Sequence, residues 1–598
     1  MTPTPLQLNS YQLQVAEAPA SARAVIIAGA GQGKTEVVAS RIAFLAHEEE
    51  LSPTDEILVL SFSRAAVEAV RRRLADREVA AVNVRTFDSF AARLLIALGI
   101  ERSMGDSFDA RVTAAVELIA DGKADEELQM IRHLIVDEVQ DLVADRARLV
   151  AAIISHLDPD AGFTALGDPL QGIYDFTADV AYAPRNVFLE LETRYGATER
   201  PLGPNYRARG RIPREVVSLG VELRELRHST AAEMQVDNFM DRLMILTIDD
   251  MVESVRSSTT KTAILCRSNA DALRVSSKLR GEHIPHQLRR RSDEIGPSRW
   301  IAQSLSSTNG ISIHRDDLEA EIRRQDTGMD PEDAWYSLKE LDGSRHNMQE
   351  LNLQRIRALV RANALPLTMT DPSPSSLIVS TIHRAKGLEF DRVIIVNPTY
   401  QPKDADPWTG VRERYVALSR ARDDVFRSSL PDLKGRYMTK VGDRVVEYAF
   451  NPKRACTMEF GYHDLDTRRP GSLAGAGETD VQIALAQPGL VGQDVIGWLD
   501  VSSSTYSYPS YAMTSQLGAP LGHSSESFGR QFGAIFGRRR SIEDWPLTLE
   551  GLTLAAVESM AGEREHTTDA GLGESGFWLV PRIVGLARPI WNKKEVDS

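Results

Sequence analysis

Short apolar runs that end in small or polar residues recur through the first part of the chain. Each is as long as a buried strand, and the stretches between them place apolar residues at helical spacing, as at Val38, Ile42 and Leu45. The predicted strands are Val25–Ala28, Ile57–Phe62, Leu134–Glu138 and Phe163–Asp168. Strands that alternate with helices predict a mostly parallel sheet with helices on both faces, which is the α/β class.

The same alternation resumes near residue 200. A charged stretch at about 285–370 predicts a helical insertion, whereas the first part has room for only a short insertion, at about 91–133. The strands predicted here are Ala263–Arg267, Leu377–Ser380 and Val393–Val396, and a helix is predicted around Tyr415–Arg422.

Near residue 431 the helical periodicity fades and short strand-like runs appear, such as Arg444–Tyr448 and Gly576–Val580. We therefore predict three domains. They are an α/β lobe at residues 1–200, a second α/β lobe at 201–430 and a β-rich domain of unknown role at 431–598.

The composition is that of an ordinary globular protein, with 598 residues of which 42% are hydrophobic. Cys266 and Cys456 lie far apart in the sequence, which excludes a disulfide framework or a cysteine zinc site and suits a reducing compartment. No apolar run approaches the ~20 residues of a membrane span, and the first residues do not have the character of a signal peptide. We expect a cytoplasmic protein without a membrane partner.

The net charge of −14 argues against a protein that coats nucleic acid by bulk charge. Clusters of arginine at 71–73, 289–291 and 538–540 leave two possibilities open. They form a local basic groove on an acidic body, or they are ordinary solvated surface.

A glycine-rich turn joins the first predicted strand to a helix at Ala28–Thr35. Such a turn points backbone N–H groups at a polyphosphate, Lys34 can reach the β and γ phosphates, and the Thr35 hydroxyl can hold Mg²⁺. The residues that form the cradle are Gly29, Ala30, Gly31, Gln32, Gly33, Lys34 and Thr35. The alternative is a glycine-rich turn with an incidental Lys-Thr pair, which the flanking strand and helix argue against.

Two carboxylates, Asp137 and Glu138, end another buried strand. Catalytic groups of parallel sheets gather beyond the carboxyl ends of the strands. The glycine-rich turn Ala28–Thr35, which we call the P-loop, lies at the same edge. We therefore predict that Asp137 holds Mg²⁺ and that Glu138 is the general base for the attacking water. An acidic pair that only caps a helix is the alternative.

Phosphoryl transfer also requires cations that stabilise charge on the γ-phosphate. Arg207 and Arg420, in the second predicted lobe, could each reach across a cleft, although isolated arginines also form surface salt bridges. The aromatic residues Phe62, Phe87, Tyr174 and Phe176 follow strand ends, where they could stack on single-stranded bases or pack between elements.

The ordered series of motifs resembles the superfamily 1 DNA helicases of the UvrD/Rep/PcrA type over roughly residues 6–425. The Ala that opens the P-loop is common in that family. The matching segments are Leu8–Gln12, Ala28–Thr35, Leu60–Ala66, Val84–Phe90, Asp137–Asp141, Gly167–Tyr174, Asn205–Arg207, Thr381–Phe390 and Val416–Arg422.

The resemblance implies two RecA-like motor lobes, ATP and Mg²⁺ as cofactors, and single-stranded or partly duplex DNA as the track. It implies that Gln171 senses the γ-phosphate, that Arg207 contacts it and that Arg420 is an arginine finger. For the nucleotide it implies contacts of Gln12 and Tyr206 with adenine and of Glu389 near the ribose. For DNA it implies contacts by Phe62, Thr86, Phe87, Tyr174, Phe176 and His383.

Several positions depart from the family pattern. Glu36 stands where an arginine often stacks on adenine, and Asp88 stands where a histidine is usual. Both predicted insertions are also short for the family, in which they contact duplex. ATP hydrolysis and translocation are therefore better supported than strand separation.

Two functions from different classes follow from these observations. The first is an ATP-driven motor that moves 3′ to 5′ on single-stranded DNA and unwinds duplex in repair, recombination or phage defence. The alternative is a DNA-stimulated ATPase switch that regulates a protein partner, such as a nuclease, through residues 431–598 and does not unwind processively.

A groove that neutralises DNA phosphates releases counterions on binding. We expect the affinity of the chain for single-stranded DNA to fall steeply as salt is raised from low to physiological concentration, which a fluorescence-anisotropy titration measures. An affinity that does not change with salt would contradict the basic groove.

Overall fold

A computed structural model describes most of the chain. The described residues are 7–62, 64–75, 77, 79, 82–98, 100, 108–142, 144–173, 184–256, 258–289, 294–342, 349–363, 365–366, 369–370, 375–396, 408–431, 433–473, 475–537 and 539–592. The chain forms two compact units, each built from two separate segments. The P-loop unit comprises Met1–Ile245 and Ala385–Arg427, and the second unit comprises Leu246–Arg384 and Ser428–Ser598. The predicted three-domain division stays a prediction.

The first segment of the P-loop unit alternates strands with helices. In chain order the elements are α1 (Ser10–Ala16), β1 (Arg23–Ile27), α2 (Lys34–His47), β2 (Ile57–Ser61), α3 (Arg64–Ala75), β3 (Asn83–Thr86), α4 (Phe87–Ala97), α5 (Phe108–Ala120), α6 (Asp125–Gln129), β4 (His133–Val136), α7 (Asp145–His156), β5 (Gly162–Gly167), α8 (Pro184–Thr193), β6 (Thr198–Pro201), α9 (Arg211–Glu225), α10 (Ser229–Asp241) and β7 (Ile245–Leu246).

The next elements belong first to the second unit and then, after Arg384, to the second segment of the P-loop unit. They are α11 (Ile248–Arg256), β8 (Thr262–Cys266), α12 (Asn269–Gly281), β9 (Gln287–Leu288), α13 (Arg299–Leu305), β10 (Ser312–His314), α14 (Arg315–Gln325), α15 (Pro331–Asp342), β11 (Glu350–Asn352), α16 (Leu353–Arg361), β12 (Leu377–Thr381), β13 (Phe390–Val396), α17 (Thr409–Leu418) and β14 (Ala421–Ser428).

The last segment is mainly strand. Its elements are β15 (Arg436–Val441), β16 (Arg444–Ala449), β17 (Arg454–Phe460), α18 (Glu478–Ala486), β18 (Asp494–Leu499), β19 (Tyr511–Ser515), β20 (Pro520–His523), α19 (Glu526–Phe536), β21 (Thr548–Ala561), α20 (Arg564–Asp569) and β22 (Phe577–Ile590).

The P-loop unit is organised by a six-stranded sheet in the order β3-β2-β4-β5-β1-β6. All of its neighbouring strands pair in parallel. Every residue of β2, β4 and β5 is buried, as expected for central strands covered by helices on both faces. Alternate residues of the strands belong to two different apolar clusters. Val25 of β1 and Leu58 of β2 belong to one cluster, and Ile26 of β1 and Val59 of β2 belong to the other. The loops after β1, β4 and β5 therefore meet at one edge of the sheet.

In the second unit, β12 pairs in parallel with both β8 and β9. The C-terminal segment forms an eight-stranded antiparallel sheet in the order β15-β16-β17-β22-β21-β18-β19-β20. The predicted α/β class with parallel sheets and a β-rich C-terminal part is confirmed.

The helices α13 to α16 pack with the C-terminal sheet in one hydrophobic core. Trp335 of α15 and Leu318 of α14 belong to the same buried cluster as Leu554 of β21 and Phe577 of β22. Ser559 of β21 also donates from its hydroxyl to the Ser298 carbonyl oxygen at 2.6 Å. The segment predicted as a helical insertion and the segment predicted as a β-rich domain thus share their interior.

One element differs from the sequence-based expectation. The helix predicted around Tyr415–Arg422 ends at Leu418, and Ala421 already begins β14. Arg420 therefore lies in the tight connection between a helix and a strand, where its side chain points back and donates from Nε to the Val416 carbonyl oxygen at 3.1 Å. In the described part of the chain, no helix has the length and apolar character needed to cross a membrane.

The shared core makes a prediction about stability. We expect Trp335→Ala to lower the free energy of unfolding by about 3–5 kcal/mol, because a fully buried indole leaves a cavity when it is removed. Tyr336→Ala is the matched control, since the neighbouring ring is 51% exposed, and we expect its cost to stay below about 1 kcal/mol. Urea unfolding followed by intrinsic fluorescence measures both, and equal costs would contradict the shared core.

Candidate ATP site

The P-loop runs from the end of β1 to the first turn of α2. Gly31 and Gly33 have φ angles of +80° and +83°, a region that side chains rarely adopt, so glycine is required at both turns. Lys34 begins α2, and its Nζ donates to the Ala28 carbonyl oxygen at 3.1 Å and lies 4.0 Å from Glu138 Oε2. The lysine therefore lies between the loop and the predicted general base Glu138, as a phosphate-binding lysine requires.

Gln12 lies directly against the P-loop. Its Nε2 donates to the Gln32 carbonyl oxygen at 2.9 Å, and its Oε1 accepts from the Asn9 backbone N–H at 3.0 Å. The second bond closes a capping box at the start of α1 and leaves Gln12 only 3% exposed. The contact with adenine stays a prediction.

The Gln32 side chain folds back over the cradle. Its Oε1 accepts from the backbone N–H of Gly29, and its Nε2 donates to the Gly203 carbonyl oxygen. The backbone N–H of Gly29, which a bound phosphate would use, is therefore hydrogen-bonded to the Gln32 side chain in this structure. Two other predicted cradle residues, Ala30 and Gly31, are hydrogen-bonded to a different segment.

The segment Asn205–Arg207 contacts the P-loop through hydrogen bonds to Ala30 and Gly31. Asn205 Nδ2 donates to the Ala30 carbonyl oxygen, and the Tyr206 backbone N–H donates to the Gly31 carbonyl oxygen at 2.9 Å. The Tyr206 ring is 58% exposed, and its hydroxyl accepts from Asn9 Nδ2 at 2.7 Å. The structure thus brings Tyr206 to the P-loop with one ring surface open to a ligand.

The two carboxylates after β4 differ in their surroundings. Burial and the charge of Glu138 raise the pKa of Asp137 to about 7. Burial also acts to raise the pKa of Glu138, but the charges of Lys34 and Lys386 outweigh it and hold that pKa below its ordinary value. Glu138 is therefore ionised at neutral pH, as a general base must be.

Thr35 and Asp137 are the predicted Mg²⁺ ligands, and the donor chemistry fits that ion. Magnesium binds oxygen, keeps several waters, and is usually held by one or two carboxylates together with substrate phosphates. Thr35 lies in the first turn of α2, and the buried carboxyl of Asp137 beside the half-buried carboxylate of Glu138 would favour a cation. Within the described residues, no group of three or more His, Cys, Asp or Glu side chains is placed to hold a metal on its own.

Gln171 and Arg420 meet directly. Arg420 Nη2 donates to Gln171 Oε1 at 2.9 Å, and both side chains are buried. Burial and the nearby charge of Arg207 lower the pKa of Arg420 to about 10, which leaves the guanidinium charged at neutral pH. Both residues belong to the same compact unit as the P-loop.

Arg207 is bound to Glu389 in this structure. The Glu389 carboxylate accepts from Arg207 through one oxygen and from Arg422 Nη2 through the other, at 2.6 Å for the second contact. Burial favours the neutral acid, but the charge of Arg207 outweighs it and lowers the pKa of Glu389. The predicted phosphate contact of Arg207 and ribose contact of Glu389 stay predictions.

The predicted DNA-contacting residues are not all placed alike. Phe62 and Thr86 are half-buried at the ends of β2 and β3, whereas Phe87 is 1% exposed and packs in the core because α4 begins at this residue. That burial indicates packing rather than base stacking for Phe87. His383 lies in the second unit, in a three-residue 3-10 helix, and Tyr174 and Phe176 lie outside the described residues.

The two departures from the family pattern have charged partners. Glu36 accepts from Arg73 Nε at 3.0 Å and also pairs with Arg77, so α2 and α3 are joined where the family often has a stacking arginine. Asp88 accepts from Arg146 Nη2 at 3.1 Å, and the same guanidinium lies 5.9 Å from the centroid of the Phe62 ring.

Sequence reasoning missed two buried cations. Lys386 forms a buried ion pair with Asp141, and Arg224 forms one with Asp168. Lys386 could have been found, since it lies within the motif Thr381–Phe390. Arg224 lies in the ordinary amphipathic pattern of α9, and nothing in the sequence marks it.

The raised pKa of Asp137 makes a prediction about pH. A carboxyl whose folded pKa lies above its unfolded value binds more protons in the folded state, so its contribution to stability is lost as pH rises through about 7. The unfolded carboxyl ionises near its ordinary value of 3.8, so part of this loss is already present at pH 5.5. Without nucleotide and Mg²⁺, we therefore expect Asp137→Asn to raise the thermal unfolding midpoint at pH 8 and to raise it by a smaller amount at pH 5.5. Asp121→Asn, at an exposed carboxylate, is the control; a midpoint for Asp137→Asn equal to wild type at pH 8 would contradict the burial argument.

Comparison with known protein families identifies two segments. The UvrD/REP helicase N-terminal domain matches residues 8–110, and the UvrD-like helicase C-terminal domain matches residues 376–426. These matches include the P-loop and the segment from β12 to β14, and therefore most of the residues that line the candidate site.

Curated relatives match over similar stretches. The chain is 28% identical over 142 residues to a probable DNA helicase II homolog of Mycoplasma pneumoniae, a match that covers 23% of this chain and 20% of the relative. It is 37% identical over 86 residues both to DNA helicase IV of Escherichia coli and to the ATP-dependent DNA helicase PcrA of Staphylococcus epidermidis, and these matches cover 13% of this chain and 12% of each relative. The matched stretches thus span about an eighth to a fifth of the length of these relatives.

A solved structure, the Pif1 helicase from Candida albicans, aligns with 71% of this chain and 96% of its own at 13% identity. Its TM-score of 0.35 is too low to support an inference. The family matches and the relatives agree with the motif order in the sequence. Two segments of the chain therefore match the UvrD/REP helicase N-terminal domain and the UvrD-like helicase C-terminal domain, and the resemblance of the chain to the superfamily 1 DNA helicases of the UvrD/Rep/PcrA type is confirmed.

Proposed function

We propose that the chain is an ATP-dependent motor that moves on single-stranded DNA and separates duplex. The observation that carries the proposal is that one compact unit contains Lys34, Glu138, Gln171 and Arg420 around one P-loop. Lys34 lies 4.0 Å from Glu138, and Arg420 donates to Gln171 at 2.9 Å. A phosphate cradle, a base, a polar sensor and a charged finger are the parts that hydrolysis of a γ-phosphate needs.

In the proposed reaction, each residue has one task. Lys34 and the P-loop amides bind the β and γ phosphates, and Gly29 exchanges its bond to Gln32 for a bond to phosphate. Glu138 accepts a proton from the attacking water, since its carboxylate is ionised at neutral pH. Thr35 and Asp137 would hold Mg²⁺, which would supply positive charge that offsets the charge of the phosphates.

The two arginines act on the charge that develops on the phosphates. Arg420 is already placed at Gln171, and it needs no large movement to approach the γ-phosphate. Arg207 first has to leave Glu389, which stays neutralised by Arg422. Exchange of a carboxylate partner for a phosphate partner conserves the charge-assisted hydrogen bonds of Arg207 and costs little.

The DNA track is proposed at the ends of β2 and β3. Phe62 offers a half-exposed ring there, and Thr86 offers a hydroxyl that already caps the turn by accepting from the Ser89 backbone N–H at 3.2 Å. The pairing of Arg146 with Asp88 reduces the negative charge that Asp88 would otherwise present to a phosphate. Movement from 3′ to 5′ and a role in repair, recombination or phage defence are the finer proposals that the family resemblance supports.

A second candidate is a DNA-stimulated ATPase switch that controls a partner, such as a nuclease, without processive unwinding. It is favoured by the shared core of α13 to α16 with the C-terminal sheet. Packed side chains and rigid elements carry coupling between distant sites, so this shared core would pass a change of state to a bound partner.

The hydrolysis proposal is tested with two variants of the full chain. We expect Lys34→Ala to lose DNA-dependent ATP hydrolysis and nucleotide affinity, and we expect Glu138→Gln to keep affinity while its turnover falls by about 100-fold or more, because only the base is removed. Lys123→Ala, at an exposed lysine, should match wild type. DNA-dependent hydrolysis by Lys34→Ala would overturn the proposed site.

The motor and the switch are separated by a strand-displacement assay on a partial duplex with a 3′ single-stranded tail. The motor predicts ATP-dependent unwinding by the chain alone. Robust DNA-stimulated hydrolysis without unwinding would favour the switch and reject the motor.

A further inference from the structure

The carboxylate of Asp168 organises a network that the proposed reaction does not explain by itself. Asp168 lies directly after β5 and is wholly buried. Its Oδ1 accepts from the Leu170 backbone N–H at 3.1 Å and from Arg224 Nε at 3.0 Å. Its Oδ2 accepts from Gln171 Nε2 at 2.9 Å and from Arg224 Nη2 at 2.8 Å. These four bonds use the acceptor capacity of a carboxylate, so Gln171 and Arg224 are fixed by the same group.

Arg224 comes to this place from α9, and its guanidinium reaches the P-loop. A Cβ added to Gly29 would lie 2.8 Å from Arg224 Nη2, which puts the guanidinium in contact with the loop. The same Nη2 donates to the Tyr415 hydroxyl at 3.2 Å. One turn earlier in α9, Gly220 leaves room for that hydroxyl, because an added Cβ would lie 2.3 Å from it.

The pair of Arg224 and Asp168 is ionic. Burial acts to raise the pKa of Asp168, but the charge of Arg224 and its hydrogen bonds outweigh burial and keep that pKa below its ordinary value. Two parallel N–H···O bonds also fix the angle between guanidinium and carboxylate, which the single ammonium of a lysine cannot do.

The hydrogen bonds continue from Asp168 to Gln171 and Arg420, the two residues proposed to act on the γ-phosphate. Gln171 uses its Nε2 on Asp168 and its Oε1 on Arg420, so the carboxamide cannot rotate without loss of both bonds. We propose that Arg224 is a positioning residue for ATP hydrolysis, which holds Asp168 and thereby sets the orientation of Gln171 and Arg420 at the γ-phosphate. This inference rests on the proposed function, which gives Gln171 and Arg420 their roles.

A steady-state kinetic experiment on the full chain tests the proposal. We expect Arg224→Lys to keep the KM for ATP within about threefold of wild type and to lower kcat by about 10- to 100-fold, because it misplaces groups that act on the reacting phosphate. Arg211→Lys makes the same change at an exposed position of α9 and should leave both constants unchanged.

A double-mutant cycle distinguishes positioning from general loss of structure. In a Gln171→Ala background, Arg224→Lys should lower kcat by less than about threefold, because the group through which it acts is gone. The same fold loss in both backgrounds, or a loss confined to KM, would overturn the proposal.

Tyr415→Phe provides a second route if Arg224→Lys does not fold. It removes only the hydroxyl that Arg224 contacts, and we expect a smaller fall in kcat, about 3- to 10-fold, that also disappears in the Gln171→Ala background. An unchanged kcat would overturn the proposal. Wild-type protein without ATP turnover would instead reject the proposed function itself, so the two failures are distinguishable.

Discussion

The constraint on which the P-loop unit depends is the balance of buried charge at the carboxyl edge of its parallel sheet. Asp137, Glu138 and Asp141 lie in the loop after β4, and Asp168 directly follows β5. All except Glu138 are nearly or wholly buried. An unpaired ion at such a site costs several kcal/mol, so each carboxylate needs a partner or a proton. The partners are Lys34, Lys386, Arg224 and Arg420, which come from elements distant in the sequence.

At Asp137 the buried negative charge is not fully compensated. The carboxyl group of Asp137 has no cationic partner strong enough to keep its pKa at the ordinary value, and the pKa rises to about 7. A divalent ion supplied with the nucleotide would complete the balance. If the proposed nucleotide and its ion bind here, their binding would stabilise the folded chain through the same residue, since a ligand that binds only the folded state raises its stability.

The sequence predicts the local parts of the site better than their partners. Strand, turn and helix at Ala28–Thr35 follow from glycine placement and apolar periodicity, and the parallel sheet follows from the alternation of elements. The ion pair of Arg224 with Asp168 does not follow, because it depends on how α9 lies on the sheet. For Phe87, the place after a strand left base stacking and packing both open, and only the family resemblance implied a DNA contact. In the structure α4 begins at Phe87 and its ring is buried in the core.

The two-segment construction of each unit has a structural consequence. The chain leaves the second unit at Arg384 and re-enters the P-loop unit at Ala385, inside one short turn. Lys386 follows immediately and forms an ion pair with Asp141, three residues beyond Glu138, the predicted general base. The backbone therefore joins the end of the second unit to Lys386 through the covalently linked residue Ala385, and the ion pair of Lys386 continues that connection to Asp141 in the carboxylate cluster.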